Sequence, residues 1–556
     1  MLKVKEKLRE YLGKDANGET LKYEYDTIGR KTALIYPDGT RVTYRYDDTN
    51  QLTDVIEADG KKTTYDYDAN GLPLAIHYSN GTKTTYRYSA IGETEHVETS
   101  NKAGKVIASF DYTYDENGNV TKETINQNGT KQVKIHTYDA DDQLIDTTIK
   151  AGKNTEVITY IYDANGNRTK LKRVKNGKKT IENYHYDDDN VLAMIQADGD
   201  ADTTYIHDKN GNITKKALRS GKVETYTYNG ENQLIQSADN EGHVTTYNYD
   251  AFGNRIGKET ITDKTKEVQG TLSEWITAYD KQAKDNLKVT PGKTATEGTT
   301  TKQTESTTKT ESLAKQLEKR ASGDFEGCSP IAEEGTDVVT KDNSTKTTSE
   351  EGTTTKTKDG IQGKTELKES DGNSSTSTER TTETTKSVGY QAITTIRYIN
   401  DLTQEYTQVA QLDETTEDNG ETTETSTDYR FGEDDQILGT EDESYHENGL
   451  TDITTTSDGE ESTDYDYTDY GTAIAAVPMA NQIGYRAQMH DTSDTQNLRA
   501  RNYDTNTGRF LQADSYRGAL DDPRTQNRYI YGGNNPVLCL KRGTSKRIYL
   551  ATNRQI

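Results

Sequence analysis

The sequence predicts an all-β fold: a spiralling antiparallel shell of β-hairpin repeats, interrupted by a short helix and a low-complexity insertion. Three observations predict it. A Tyr-Asp signature recurs from Tyr25-Asp26 to Tyr249-Asp250 at intervals of 21, 21, 21, 26, 24, 24, 24, 21, 21 and 21 residues. Turn-forming residues bracket every copy. Aliphatic side chains are scarce and tyrosine is abundant: hydrophobic residues make up 29% of the chain, with 38 Tyr against 5 Phe and 1 Trp. A fixed period of this size marks a stack built from one supersecondary unit, each copy covering its neighbour.

Within a repeat, the elements follow from residue type. Full copies of the signature stand at Tyr25, Tyr46, Tyr67, Tyr114, Tyr138, Tyr162, Tyr186 and Tyr249, with weaker ones at Tyr88-Ser89, His207-Asp208 and Tyr228-Asn229. A second aromatic often sits two residues earlier, as in Tyr44/Tyr46 and Tyr65/Tyr67, so both rings share one face of an extended strand. The Asp then opens a turn by accepting backbone N–H groups, and a Gly three residues on (Gly29, Gly71, Gly118, Gly166, Gly211, Gly253) supplies positive φ. The chain returns on a second strand, such as 119–125. Asp38-Gly39, Asp59-Gly60, Asn80-Gly81, Asn128-Gly129, Asn176-Gly177 and Asp198-Gly199 close the unit; such dipeptides favour tight hairpins with both central residues at positive φ. With so little aliphatic bulk, the inner face is expected to be wet and polar, and the sheet to form a hollow wall.

Composition bounds the rest. A net charge of -25 and a pI near 4.9 argue against nucleic-acid and anionic-membrane partners. Cys328 and Cys539 support neither a disulfide framework nor a zinc site, and the eight His lack ligand spacing. No apolar run has membrane-span length, and Met1–Arg9 lacks the apolar centre of a signal peptide. The chain opens in mid-pattern, since Asp15-Ala16-Asn17-Gly18 is already a repeat turn, which predicts a piece of a longer protein or a split reading frame.

Along the chain, residues 1–258 read as the repeat shell and 259–289 as a helical segment. Thr271-Leu272-Ser273-Glu274 forms a capping box, and Leu272, Trp275, Ile276, Tyr279 and Ala283 share one helical face over 272–287. Residues 290–389 are rich in Thr, Ser, Lys and Glu and predict disorder or weak strands. Degenerate shell repeats fill 390–477, a plug-like core 478–537, and an aberrant basic tail 538–556.

The most specific stretch runs from Leu498 to Asp514 and on through Asn527-Arg528-Tyr529-Ile530-Tyr531-Gly532-Gly533-Asn534-Asn535-Pro536. Its landmarks are Arg501, Tyr503, Asp504, Gly508, Arg509, Phe510, Asp514, Asn527, Tyr529, Tyr531, Asn534, Asn535 and Pro536. Together with the Tyr-Asp repeats, these resemble the Rhs/YD-repeat family of bacterial polymorphic toxins and its Rhs repeat-associated core, with teneurins as distant cousins. The resemblance covers about 23–258 and 390–537. It implies a β-shell around a cavity that encloses a C-terminal toxin, and a core that acts as an aspartic self-protease. In such a dyad two close carboxylates share one proton and run acid–base chemistry on a peptide bond. Carried over residue by residue, Arg501 and Asp514 are the catalytic positions. The second Asp is replaced by Lys541, and the Asp-Pro-x-Gly cleavage segment is absent.

These departures lead to a structural reading: a secreted or cell-surface Rhs-type shell fragment without its own toxin and without self-cleavage. No cofactor or metal is implied. The implied partners are an encapsulated toxin or the rest of a longer polypeptide, and an immunity protein. Two alternatives carry different consequences. One is a self-processing protease shell that delivers a toxin; the other is a surface repeat protein whose Tyr rows grip cell-wall glycans. The Asp115–Asn119 and Asp163–Asn167 runs look like calcium loops but lack the acidic twelfth ligand, so they read as turns.

Overall fold

The computed structural model describes residues 20–198, 202–270, 338–341, 354–356, 362–364, 383–401, 403, 407–474, 483–491, 494–518 and 523–538. It divides into two units, residues 1–262 with 392–556, and residues 263–391.

A twenty-five-stranded antiparallel sheet dominates the first unit. From Lys22–Tyr25 to Arg255–Gly270, every strand pairs with the next in sequence, a continuous meander. Glu383–Asp401 lies beside Arg255–Gly270, and Gln408–Asp418 and Glu421–Asp428 complete the sheet. The repeat interval sets strand length. Where the interval is 21 residues, strands such as Arg41–Tyr46 and Leu52–Ile56 have 6 and 5 residues. Where it is 24, strands such as Thr130–Tyr138 and Leu144–Ala151 have 9 and 8.

Two kinds of closing turn accompany the two lengths. Asn128-Gly129 (φ 45 and 83) and Asn176-Gly177 (φ 50 and 84) place both residues at positive φ, as expected of two-residue hairpins. At Asp38-Gly39, Asp59-Gly60 and Asn80-Gly81 only the Gly does so, which corrects the sequence expectation. The reason is loop length. Tyr36 N donates to Thr40 O at 2.9 Å and Gly39 N to Tyr36 O at 3.0 Å, so a type I turn closes on a left-handed Gly. Gly199 lies outside the described residues.

The Tyr-Asp turns share one construction. Asp68 Oδ1 accepts the N–H groups of Asn70 and Leu72, both at 2.8 Å, and Asp163 does the same for Asn165 and Asn167. Those runs are therefore backbone-capped turns. Just before each Asp the strand register slips by one residue, for example between Asp66 and Tyr67 and between Ile161 and Tyr162. The extra residue stands on the returning strand, Leu74 opposite Asp66–Tyr67 and Thr169 opposite Ile161–Tyr162, and such a bulge twists the pair locally. The Tyr of Tyr-Asp leans over the preceding hairpin and donates to its backbone: Tyr46 to Lys31 O, Tyr67 to Leu52 O, Tyr88 to Pro73 O, Tyr162 to Leu144 O and Tyr249 to Leu234 O, at 2.7–2.9 Å.

The inner face of the sheet is covered, contrary to the open, wet face expected from composition, and it sets polar groups such as Glu123, Lys134, His136 and Lys216 among the buried tyrosines and aliphatics. Tyr44, Tyr65, Tyr86, Tyr112, Tyr160, Tyr184, Tyr226 and Tyr247 are buried in one apolar cluster with Leu34, Val55, Ile76, Val97 and Leu144. The cover comes from the same chain. The described residues of 429–537 form a five-stranded sheet (Arg430–Phe431 to Ser462–Asp464) and a four-stranded one (Met489–His490 to Arg509–Phe510). Tyr429, Phe431, Ile437, Leu450, Ile453, Tyr470, Leu511 and Tyr529 belong to the same cluster as the array tyrosines. Tyr36 OH donates to Tyr429 O at 2.7 Å, Gly449 N to Tyr112 OH at 3.0 Å and Gln127 Nε2 to Thr454 O at 3.0 Å.

The array also runs further than read from sequence. Residues 259–270 continue the strand Arg255–Gly270, because Thr260 and Ile261 keep pairing with Thr245 and Val244. The helix expected at 272–287 lies outside the described residues. In the second unit, Thr354–Lys356 pairs antiparallel with Gln362–Lys364, and Val338–Lys341 pairs antiparallel with residues 383–386. The rest of the 290–389 segment lies outside the described residues.

Candidate functional site

Arg509, Asn527, Tyr529, Asn534 and Asn535 of the core motif each meet a Tyr-Asp turn of the array. Asn534 Nδ2 donates to Gly166 O at 2.8 Å and to Gln143 Oε1 at 2.9 Å. Asn535 Nδ2 donates to Asn119 Oδ1 at 2.8 Å. Asn527 Nδ2 reaches Asn167 Oδ1 at 2.6 Å and Asn165 O at 3.0 Å. Tyr529 OH donates to Gly211 O at 3.0 Å, and Arg509 Nη2 donates to Asn190 O at 2.7 Å. Arg509 and residues 527–535 thus reach the turns at 115–119, 139–143, 163–167, 187–190 and 208–211.

Behind these contacts lies an aromatic stack. Tyr503 is fully buried, stacks on Tyr531 at 4.2 Å and lies edge-on to Phe510 at 5.8 Å. Its hydroxyl donates to Tyr470 O at 2.8 Å. Gly508 has φ 70, and a Cβ there would approach the Tyr470 ring to 2.6 Å, so the close approach needs Gly. Asp504 Oδ1 caps the turn through Asn506 N and Thr507 N, while its other oxygen pairs with the buried Lys216 at 3.1 Å. Pro536 O accepts from Tyr485 OH at 3.3 Å and from Arg486.

The two catalytic positions of the sequence reading do come together. Arg501 Nη2 lies 2.9 Å from Asp514 Oδ2. Arg501 Nη1 also donates to Arg528 O at 3.1 Å, and its guanidinium stacks on Phe510 at 3.5 Å. Burial pulls the Arg501 guanidinium down to about 10, against the pull of Asp514. Asp514 Oδ1 accepts Tyr516 N–H at 2.7 Å, and its backbone is tied to Arg528 on both sides. Lys541 lies outside the described residues. What the described geometry offers at Asp514 is a carboxylate engaged by a guanidinium and a backbone N–H.

Several groups that bind the core to the array escaped the sequence reading. Arg255 is buried, makes two contacts to Asp491 at 2.8 and 2.9 Å, and stacks on Tyr247 at 4.3 Å; Lys258 lies 3.5 Å from the same carboxylate. Burial opposes the charge on Asp491, but the two cations outweigh it and hold its carboxyl below the usual range. Arg168 donates to Thr507 O and sits among the rings of Tyr184 and Tyr470 at 4.8 and 5.1 Å. Lys134 Nζ donates to Tyr467 O at 3.1 Å, and Tyr160 OH to Asp469 at 3.0 Å. Spacing in sequence gives no signal for pairs more than 200 residues apart. The available hint was a basic residue on an otherwise inward strand position.

Among the described residues, Asp239, Glu241 and His243 are drawn close enough to suggest metal ligation. Lys222 already supplies the cation there, 3.2 Å from Asp239 and 3.9 Å from Glu241.

Residues 104–268 match the Teneurin YD-shell family and residues 46–83 the RHS Repeat family. The Rhs/YD-repeat resemblance read from the Tyr-Asp register therefore holds for the array. No curated protein sequence matches the chain. Among solved structures, TcdB2-TccC3-TEV aligns with 95% of this chain at 14% identity and TM-score 0.58, over 21% of its own length. TcdB2-TccC3 gives 95%, 14%, 0.57 and 22%. The Tc holotoxin pore of Photorhabdus luminescens gives 95%, 15%, 0.57 and 21%. At these identities the likeness shows the fold, that of an Rhs/YD shell. The chain spans 21–22% of the length of these solved chains.

Proposed function

We propose that this chain is a structural, non-cleaving shell segment of a secreted or cell-surface Rhs-type toxin protein. Its repeat array forms the wall, and its core motif closes that wall instead of cutting a peptide bond. The toxin it helps enclose is carried on another part of the same polypeptide or on a partner chain. One observation carries the reading: residues 527–535 hydrogen-bond to successive Tyr-Asp turns, so the core is spent on joining repeats. Chemistry supports it. Proton sharing needs two neighbouring carboxylates, and Lys541 stands where the resemblance puts the second. Incubation of the purified chain tests the proposal. The expected result is an intact 62.1 kDa band at all times. A shorter product that disappears in Asp514→Asn would overturn it in favour of self-processing.

A further inference from the structure

Among the described residues the strand Glu421–Asp428 pairs with one strand only and so forms an edge of the sheet, without the bulge, proline or lysine that often blunts one. It pairs with Gln408–Asp418 along its whole length without a bulge, from Asp418↔Glu421 to Gln411↔Asp428. It is 8 residues long, holds no Pro, Gly or Lys, and residues 421–426 are all exposed. Thr422, Thr423, Thr425 and Thr427 give it high strand propensity. Natural edges of this kind are blunted by lysines, prolines, bulges or shortness. Here only negative charge is present: Asp413, Glu414, Glu417, Asp418, Glu421, Glu424 and Asp428, with no Lys or Arg between 408 and 428. That charge repels a second copy of the same edge, because like charges across a strand pair are destabilising. It does not repel a basic strand.

Hairpin geometry fixes which backbone groups are on offer. Asn419 (φ 54) and Gly420 (φ 84) form a two-residue turn, so Asp418↔Glu421 is a hydrogen-bonded pair and the pairs alternate from there. The N–H and C=O groups of Glu421, Thr423 and Thr425 therefore face Gln408–Asp418, and those of Thr422, Glu424 and Ser426 face outward. We propose that this outward row is a β-augmentation site for an extended segment of a partner protein carrying Lys or Arg at alternate positions. Alternate residues of an added strand share one face, where the cations meet Glu424 and its near neighbour Glu417.

The test uses the full chain and a fluorescent eight-residue peptide alternating lysine and threonine, followed by anisotropy at low and high salt. The wild-type chain should bind it, more weakly as salt screens the charges. The double variant Thr422→Pro/Glu424→Pro removes two outward N–H donors and keeps those facing Gln408–Asp418; binding should fall by about tenfold or more. The variant Glu424→Lys leaves the backbone alone and should lose the lysine peptide while gaining one that alternates glutamate and threonine. No binding by the wild type, or equal binding by the proline variant (adhesion by charge alone), would overturn the proposal.

Discussion

At the scale of single residues, two buried positions carry consequences that can be measured. Gly508 combines φ 70 with the Tyr470 ring 2.6 Å from where a Cβ would stand. Gly508→Ala therefore combines backbone strain of about 1–2 kcal/mol with a clash that must displace the Tyr470 ring, which lies edge-on to Tyr160 at 5.5 Å and whose carbonyl accepts from Tyr503. A fall in denaturant midpoint is expected, with loss of near-ultraviolet dichroism from the aromatic stack. His446 is the second. It is buried edge-on to Tyr78 at 4.6 Å, and burial drives its imidazole down to about 3. A histidine held neutral in the folded state and free to protonate when unfolded favours folding above its ordinary value near 6.5. That contribution drains away as pH falls from about 6.5 towards about 3. His446→Phe keeps the ring contact and removes the titration. Thermal melts between pH 7 and 4 should fall less steeply for the variant; parallel slopes would mean that His446 is not the group responsible.

At the scale of the element, the repeat is a hairpin locked to its predecessor by one phenol. Tyr67 OH to Leu52 O and Tyr249 OH to Leu234 O belong to repeats well separated along the array and donate to different carbonyls. Each Tyr→Phe change should therefore cost about 0.5–1.5 kcal/mol, and the double variant should cost the sum. Urea titrations of the three variants check this, and strong non-additivity would show that the locks act as one network. Much of this unit was legible. The pairing Tyr-x-Tyr put both rings on one face, and Asp with Gly three residues later announced the turn. Asn50, Asp142, Asn190 and Asn232 fill the same turn position at φ 60–71. They were missed because a Gly-based rule sees glycine alone, although Asn and Asp also tolerate that conformation. The bulge on the returning strand, opposite each signature Tyr, left no mark at all. It inserts one residue without changing residue type, so a strict alternation rule reads straight through it. The core motif was legible as a pattern, and Arg501 and Asp514 did prove to be neighbours. Which turns Asn527, Asn534 and Asn535 would grip was not, since hydrogen-bond donors of this kind suit any carbonyl.

At the scale of the whole first unit, the decisive fact is where its buried cations find their counter-charges. Arg255 and Lys258 come from the end of the repeat array, and Asp491 from the C-terminal segment that covers the buried face. All three side chains are at most 5% exposed. Composition alone pointed to a hollow, wet interior because it counts apolar residues and cannot see that 429–537 folds back over the tyrosines. If that covering segment is what completes the fold, cutting its electrostatic tie should destabilise the array as well. Asp491→Asn leaves two cations in a buried site without their carboxylate, and breaking a buried pair from one side costs about 3–5 kcal/mol. Replacing all three charges, as Arg255→Met/Lys258→Met/Asp491→Leu, removes the desolvation burden together with the attraction and should recover most of that loss. The two outcomes separate the possibilities through hydrogen exchange. If the tie couples the layers, Asp491→Asn will speed exchange of amides in Tyr247 and its strand neighbours as much as in Thr495–Leu498, and the triple variant will reverse both. Faster exchange confined to the C-terminal strands would mean that the array stands without its cover, and the apolar cluster shared by the two layers would then have to be a consequence of folding and not its cause.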